Sequence, residues 1–64
     1  MPSKGGEIYL EYAVQGSVTR VTAIDPKTGC EAVVMGPSGA SRAALTDAAM
    51  RKLDYVIRRK SGGG

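Results

Sequence analysis

Residues 7–14 run Glu7-Ile8-Tyr9-Leu10-Glu11-Tyr12-Ala13-Val14, an alternation that sets Ile8, Leu10, Tyr12 and Val14 on one side of an extended strand. Residues 17–24 carry Val18, Thr19, Val21, Thr22 and Ile24, β-branched side chains that suit a pleated surface. A third short apolar run covers residues 30–35 and stops at Gly36-Pro37. Beyond Ser41 the period changes. Leu45, Ala49, Met50, Leu53, Val56 and Ile57 recur at helical spacing up to about Arg59. Asp47, Arg51, Asp54 and Arg58 fall on the opposite side, where Asp47–Arg51 and Asp54–Arg58 can pair at i,i+4. Ser41 is placed to cap the helix start, with Thr46 as the alternative start, and Arg58, Arg59 and Lys60 sit where the macrodipole favours cations.

Two turn signals separate the strands. Gln15-Gly16 supplies a glycine for a two-residue hairpin loop, and Asp25-Pro26-Lys27-Thr28-Gly29 combines a fixed proline φ with a left-handed closing glycine. With the first loop at Gln15-Gly16, Leu10 pairs with Val21, Ile8 with Ala23, and Glu11 with Arg20. With the second loop at residues 26–29, Val21 pairs with Val34 and Ala23 with Ala32. One face then collects Ile8, Leu10, Tyr12, Val14, Val21, Ala23, Cys30, Ala32 and Val34, and a slip of one residue in either hairpin would scatter that set. The predicted fold is α+β: a three-stranded antiparallel meander followed by one C-terminal helix packed on one sheet face, in the order β-β-β-α. A single domain covers residues 7–60, with residues 1–6 and 61–64, rich in Gly, Ser and Pro, as disordered tails.

Size bears on how such a fold is stabilised. The chain has 64 residues, and for a domain this small the balance of apolar burial against ordering entropy comes out near zero. Disulfides, metals and self-association are the usual supplements. Cys30 is the only cysteine and there is no histidine, so neither an internal disulfide nor a familiar zinc ligand set can be assembled. Self-association is the remaining supplement, most simply as a homodimer. The longest apolar run, Ala32-Val33-Val34-Met35, is far too short to span a membrane, and Met1-Pro2-Ser3-Lys4 lacks a signal peptide's apolar stretch. A single thiol suits a reducing compartment, and the expected location is cytoplasmic.

The second sheet face carries Glu7, Tyr9, Glu11, Ala13, Val18, Arg20, Thr22, Ile24, Glu31, Val33 and Met35. A solvated face with stray hydrophobes is the ordinary reading of such a set. Tyr9, Ile24, Val33 and Met35 are large enough, and close enough across three strands, to form a candidate self-association surface. The two edge strands also invite pairing.

Candidate chemistry is sparse. Cys30 falls on the inward face with no histidine to activate it, so it reads as a small buried hydrophobe. Glu7 and Glu11 lie about 13 Å apart along a strand, beyond the separation of a glycosidase carboxylate pair, and Glu11 reads more simply as a cross-strand partner of Arg20. Gly36-Pro37-Ser38-Gly39 precedes a helix but lacks the Gly-Lys-Ser/Thr ending of a P-loop, so it reads as a crossover. No catalytic, metal or cofactor-binding residue is assigned.

The formal net charge is +3, from nine basic and six acidic side chains. Glu7, Glu11 and Glu31 against Arg20 make the second sheet face net negative, which argues against laying it on a phosphate backbone. The helix end is more basic, through Arg51, Lys52, Arg58, Arg59 and Lys60 against Asp54, and supports an alternative reading as a nucleic-acid-binding accessory domain.

The stretches Gly6-Glu7-Ile8-Tyr9-Leu10-Glu11-Tyr12 and Val21-Thr22-Ala23-Ile24-Asp25-Pro26-Lys27-Thr28-Gly29, with Gly36-Pro37 and Arg51-Lys52-Leu53-Asp54-Tyr55-Val56, resemble a family of short uncharacterised bacterial proteins. The resemblance covers nearly the whole chain and implies a complete small domain of unknown function. Its motifs are a hairpin turn, a strand ending and a helix face, so it implies no activity, cofactor or site residue. The expectation is a small non-enzymatic interaction or structural protein that self-associates.

Overall fold

The computed structural model describes residues 7–61. Strands β1 (Tyr9–Gln15), β2 (Val18–Asp25) and β3 (Cys30–Pro37) are followed by one helix, α1 (Arg42–Ser61). The strands form one antiparallel sheet in the order β1-β2-β3, and α1 packs on one face of it, against β3 and β2. This is the β-β-β-α arrangement that the hydrophobic pattern predicts. Of the expected tails at residues 1–6 and 61–64, residues 1–6 and 62–64 lie outside the described residues, and the helix runs through Ser61, the first residue of the second tail.

The second turn is fixed by side-chain chemistry and the first by the backbone of a glycine. In the second, Asp25 is buried, and its carboxylate accepts the Lys27 N–H at 3.0 Å and the Thr28 hydroxyl at 3.0 Å. Thr28 Oγ1 in turn accepts the Cys30 N–H at 3.2 Å, while Gly29, at φ 79°, donates its N–H to the Asp25 carbonyl. An aspartate that holds the backbone two residues on sets the register of β2 against β3. Val21 pairs with Val34 and Ala23 with Ala32, as the pattern requires.

The first hairpin differs from expectation. Its loop is Gly16-Ser17, not Gln15-Gly16, so Leu10 faces Ala23, Tyr12 faces Val21 and Gln15 faces Val18. Gly16 has φ 60° while Ser17, like every described residue other than glycine, does not have positive φ, the combination of a type II′ turn with glycine first. A loop at Gln15-Gly16 with the matching twist would put glutamine first, where both such turn types demand positive φ. The shift is two residues, so the inward set keeps its face. It does separate Glu11 from Arg20: Glu11 faces Thr22 and Arg20 faces Ala13, and no ion pair joins them. β1 also starts at Tyr9 where a start at Glu7 was expected, and β3 continues through Gly36 to Pro37.

The core consists of Val21, Ala23, Cys30 and Ala32 from the sheet with Ala49 and Leu53 from α1. Ile8, Leu10, Tyr12, Val34, Leu45, Met50, Val56 and Ile57 pack around it. Three alanines among six buried residues let helix and sheet approach closely. Gly36 takes this furthest: a Cβ there would meet Leu45 Cδ2 at 2.6 Å, so the missing side chain is the seat for Leu45. Ser41 caps α1 as expected, its Oγ accepting the Ala44 N–H at 3.2 Å. Val14 is the exception on the inward face. It is 60% exposed, near the end of β1 at the open edge of the sheet.

Leu53 is 2% exposed, and Leu53→Ala should cost about 2–5 kcal/mol in urea unfolding, enough to threaten a domain of this size. Arg51→Ala, on the outer side of the same helix, should cost well under ~1 kcal/mol. Equal losses from the two would contradict the packed face described here.

Candidate interaction surfaces

The open sheet face is built in rows by the strand register. Tyr9, Ile24 and Glu31 form one row; Glu11, Thr22 and Val33 the next; Ala13, Arg20 and Met35 the third. The four residues expected to make a self-association surface therefore form a diagonal stripe. Tyr9 and Ile24 are direct neighbours, Val33 is diagonal to Ile24, and Met35 lies beside Val33 on β3. Tyr9 and Met35 are exposed, at 53% and 65%, while Ile24 and Val33 are half-buried by their neighbours. Charged side chains flank the stripe on both sides: Glu31 ends the first row, Glu11 begins the second and Arg20 stands in the third.

The two edges of the sheet are unequal. A β-turn bonds its first residue to its fourth, so Gln15 and Val18 form a hydrogen-bonded pair, and alternation directs the backbone groups of Ala13, Glu11 and Tyr9 toward β2 as well. Those of Leu10, Tyr12 and Val14 then point away from β2, along the open edge. On β3 the same alternation turns Val33 outward, and there Lys52 Nζ donates to its carbonyl at 2.9 Å. Pro37, at the end of the same edge, has no N–H to offer. A lysine and a proline are common guards of an exposed strand. β1 has neither.

Over β1 the polar contact to the helix is made by Tyr12, while Ile8 and Leu10 pack at the margin of the core. The Tyr12 hydroxyl and Thr46 Oγ1 share a hydrogen bond of 2.7 Å, and the Arg42 guanidinium lies 4.5 Å above the ring centre. The alternation pattern counts Tyr12 as an inward apolar residue and misses this polar anchoring. The available signal is that a half-buried tyrosine hydroxyl needs a partner.

The basic helix end does not form one surface. Arg51 pairs with Asp47 at 2.8 Å and Arg58 with Asp54 at 2.9 Å, the two i,i+4 pairs the sequence predicts. Lys52 is engaged at Val33, and Arg59 donates to the Tyr55 hydroxyl at 3.0 Å and lies over its ring. Helical geometry turns Lys60 about 80° from Lys52 and about 180° from Arg51, so the five cations point in several directions.

The remaining candidates are absorbed by the fold. Cys30 is buried and free. In the loop before α1, Ser38 donates its N–H to the Ser17 carbonyl at 2.8 Å and its hydroxyl to the Gly16 carbonyl at 2.9 Å, and Ala40 donates to the Pro37 carbonyl. These groups tie the crossover to the first hairpin instead of facing a ligand. Among the described residues no group of three or more Cys, Asp or Glu side chains is gathered as a metal site, and no helix is long and apolar enough to cross a membrane.

A family model described as a domain of unknown function (DUF6898) matches residues 5–60. No curated protein and no solved structure matches the chain.

Tyr12→Phe should cost about 0.5–1.5 kcal/mol through loss of the bond to Thr46. Thr46→Val should cost a similar amount, and the double variant clearly less than the sum, because both changes delete one interaction. Additive losses in a thermal-unfolding cycle would show that the bond contributes nothing.

Proposed function

The chain belongs to the DUF6898 family, whose function is unassigned, and from its surfaces we propose that it is a small non-enzymatic interaction protein that self-associates in the cytoplasm. The observation that carries this reading is the one-sided build of the fold. A single helix covers one face of the sheet, while the other face holds Tyr9, Ile24, Val33 and Met35 with no element over them and the β1 edge has no partner among the described residues. A domain near the lower size limit for independent folding gains stability by linkage when a second copy binds only the folded form. Catalysis has no support, since among the described residues no nucleophile, base and positioning group come together. Nucleic-acid binding at the helix end is the weaker reading, because two of its five cations are neutralised by aspartates and two are held by Val33 and Tyr55.

Sedimentation equilibrium at tens to hundreds of micromolar should give a mass approaching twice that of the chain, and the melting temperature should rise with protein concentration. In fluorescence anisotropy, generic duplex DNA should bind weakly at most and release with moderate salt. A concentration-independent monomer would overturn the proposal. Tight DNA binding that survives physiological salt and is lost on changing Arg58 and Arg59 to Ser would replace it with the nucleic-acid reading.

A further inference from the structure

We infer that the second copy docks edge to edge on β1, antiparallel and centred on Tyr12, to make one six-stranded sheet. The inference rests on the self-association reading and names its surface. Three features of the edge lead to it.

The first is the contrast between edges. β3 is closed by Lys52 on the Val33 carbonyl and by Pro37, whereas β1 leaves the backbone groups of Leu10, Tyr12 and Val14 facing outward with no such guard among the described residues. The second is apolar exposure beside those groups, with Val14 on the helix-bearing face and Tyr9 on the other both more than half exposed.

The third is charge, and it selects both the occupant and the register. Pairing about Tyr12 uses the whole of β1, since Tyr9 then faces Gln15 of the second copy, Leu10 faces Val14, and Glu11 faces Ala13. Pairing about Glu11 would set two glutamates directly opposite each other, which is destabilising. In the Tyr12 register Glu11 looks across the small Ala13 of the other copy to Arg20, which stands beside that alanine in the same row. Two strand spacings of about 4.8 Å separate the backbones, a gap that an arginine and a glutamate span from opposite ends. Among the described residues of its own chain, neither Glu11 nor Arg20 makes an ion pair. The two-fold axis forms the new pair twice, so the strand is complementary to itself. Seven paired residues are few beside the about 1,200–2,000 Å² of a stable interface, so the dimer is concentration-dependent.

Charge reversal tests this across copies. Glu11→Arg alone and Arg20→Glu alone should each weaken dimerisation by about tenfold or more at low salt, because each places like charges at both new pairs. An equimolar mixture of the two variants should recover dimers in sedimentation, since every cross-copy pair is then of opposite charge. Any repulsion created within one chain is untouched by mixing, so recovery reads the contact between copies alone. Circular dichroism of each variant establishes that it is folded. Val33→Lys, on the open face of β3, should leave the dimer intact. Dimers that persist in the single variants, a mixture that fails to recover, or dissociation by Val33→Lys would each overturn the edge pairing while leaving self-association standing. A wild-type chain that stays monomeric would overturn both.

Discussion

One helix cannot cover three strands. An α-helix with its side chains is about 10–12 Å across, and strands lie about 4.8 Å apart, so a single helix seats over two of them. In this protein those two are β3 and β2. The fully buried sheet residues, Val21, Ala23, Cys30 and Ala32, all come from them, and none from β1. β1 is held by its hydrogen bonds to β2, by Tyr12 reaching Thr46 and Arg42, and by partial packing of Ile8 and Leu10. The asymmetry of the molecule follows from this geometry. One edge is finished by a lysine from the helix, and the other is touched by the helix through the Tyr12 side chain while its outward backbone groups stay uncovered among the described residues.

The covered half is packed through small residues. Alanines 23, 32 and 49 and Gly36 bring α1 down onto the sheet, and Leu53 and Leu45 fill the space that remains. Close approach lets a small core reach dense packing, but it leaves few large side chains to contribute apolar area, and among the described residues only Leu53 and Val21 are large and fully buried. The buried polar residue Asp25 serves the turn rather than a reaction, with its carboxylate satisfied by Lys27 and Thr28.

Most of the fold was legible in residue order, for identifiable reasons. Period-two alternation, the helical spacing from Leu45 to Ile57, Ser41 as cap and the Asp25–Gly29 turn all act locally, so local reading finds them. Residue order leaves the first hairpin open because Gly16 suits either of two loop positions, and only the φ it adopts decides between them. That ambiguity displaced Glu11 from Arg20 without disturbing the apolar face, since a shift of two preserves side-chain parity. Val14 could not be recognised as exposed from alternation, which says which face a residue occupies but not how far a helix extends over it. The candidate surface was legible as a set of residues. Its division by charge, the guarding of β3 and the bareness of β1 depend on which strand lies at which edge and on where Lys52 reaches. Those are tertiary facts.

Amide hydrogen exchange resolved by residue tests most directly the claim that the helix finishes one side of the sheet and a second copy finishes the other. At low concentration the amides of Leu10, Tyr12 and Val14 should exchange fast, while those of Val21 and Ala23, bonded within the sheet, are protected. Raising the concentration into the range of self-association should slow exchange at Leu10, Tyr12 and Val14 and leave Glu31 and Met35, on the β3 edge, unchanged. Protection of the three β1 amides that is independent of concentration, or that appears at β3 instead, would contradict the account.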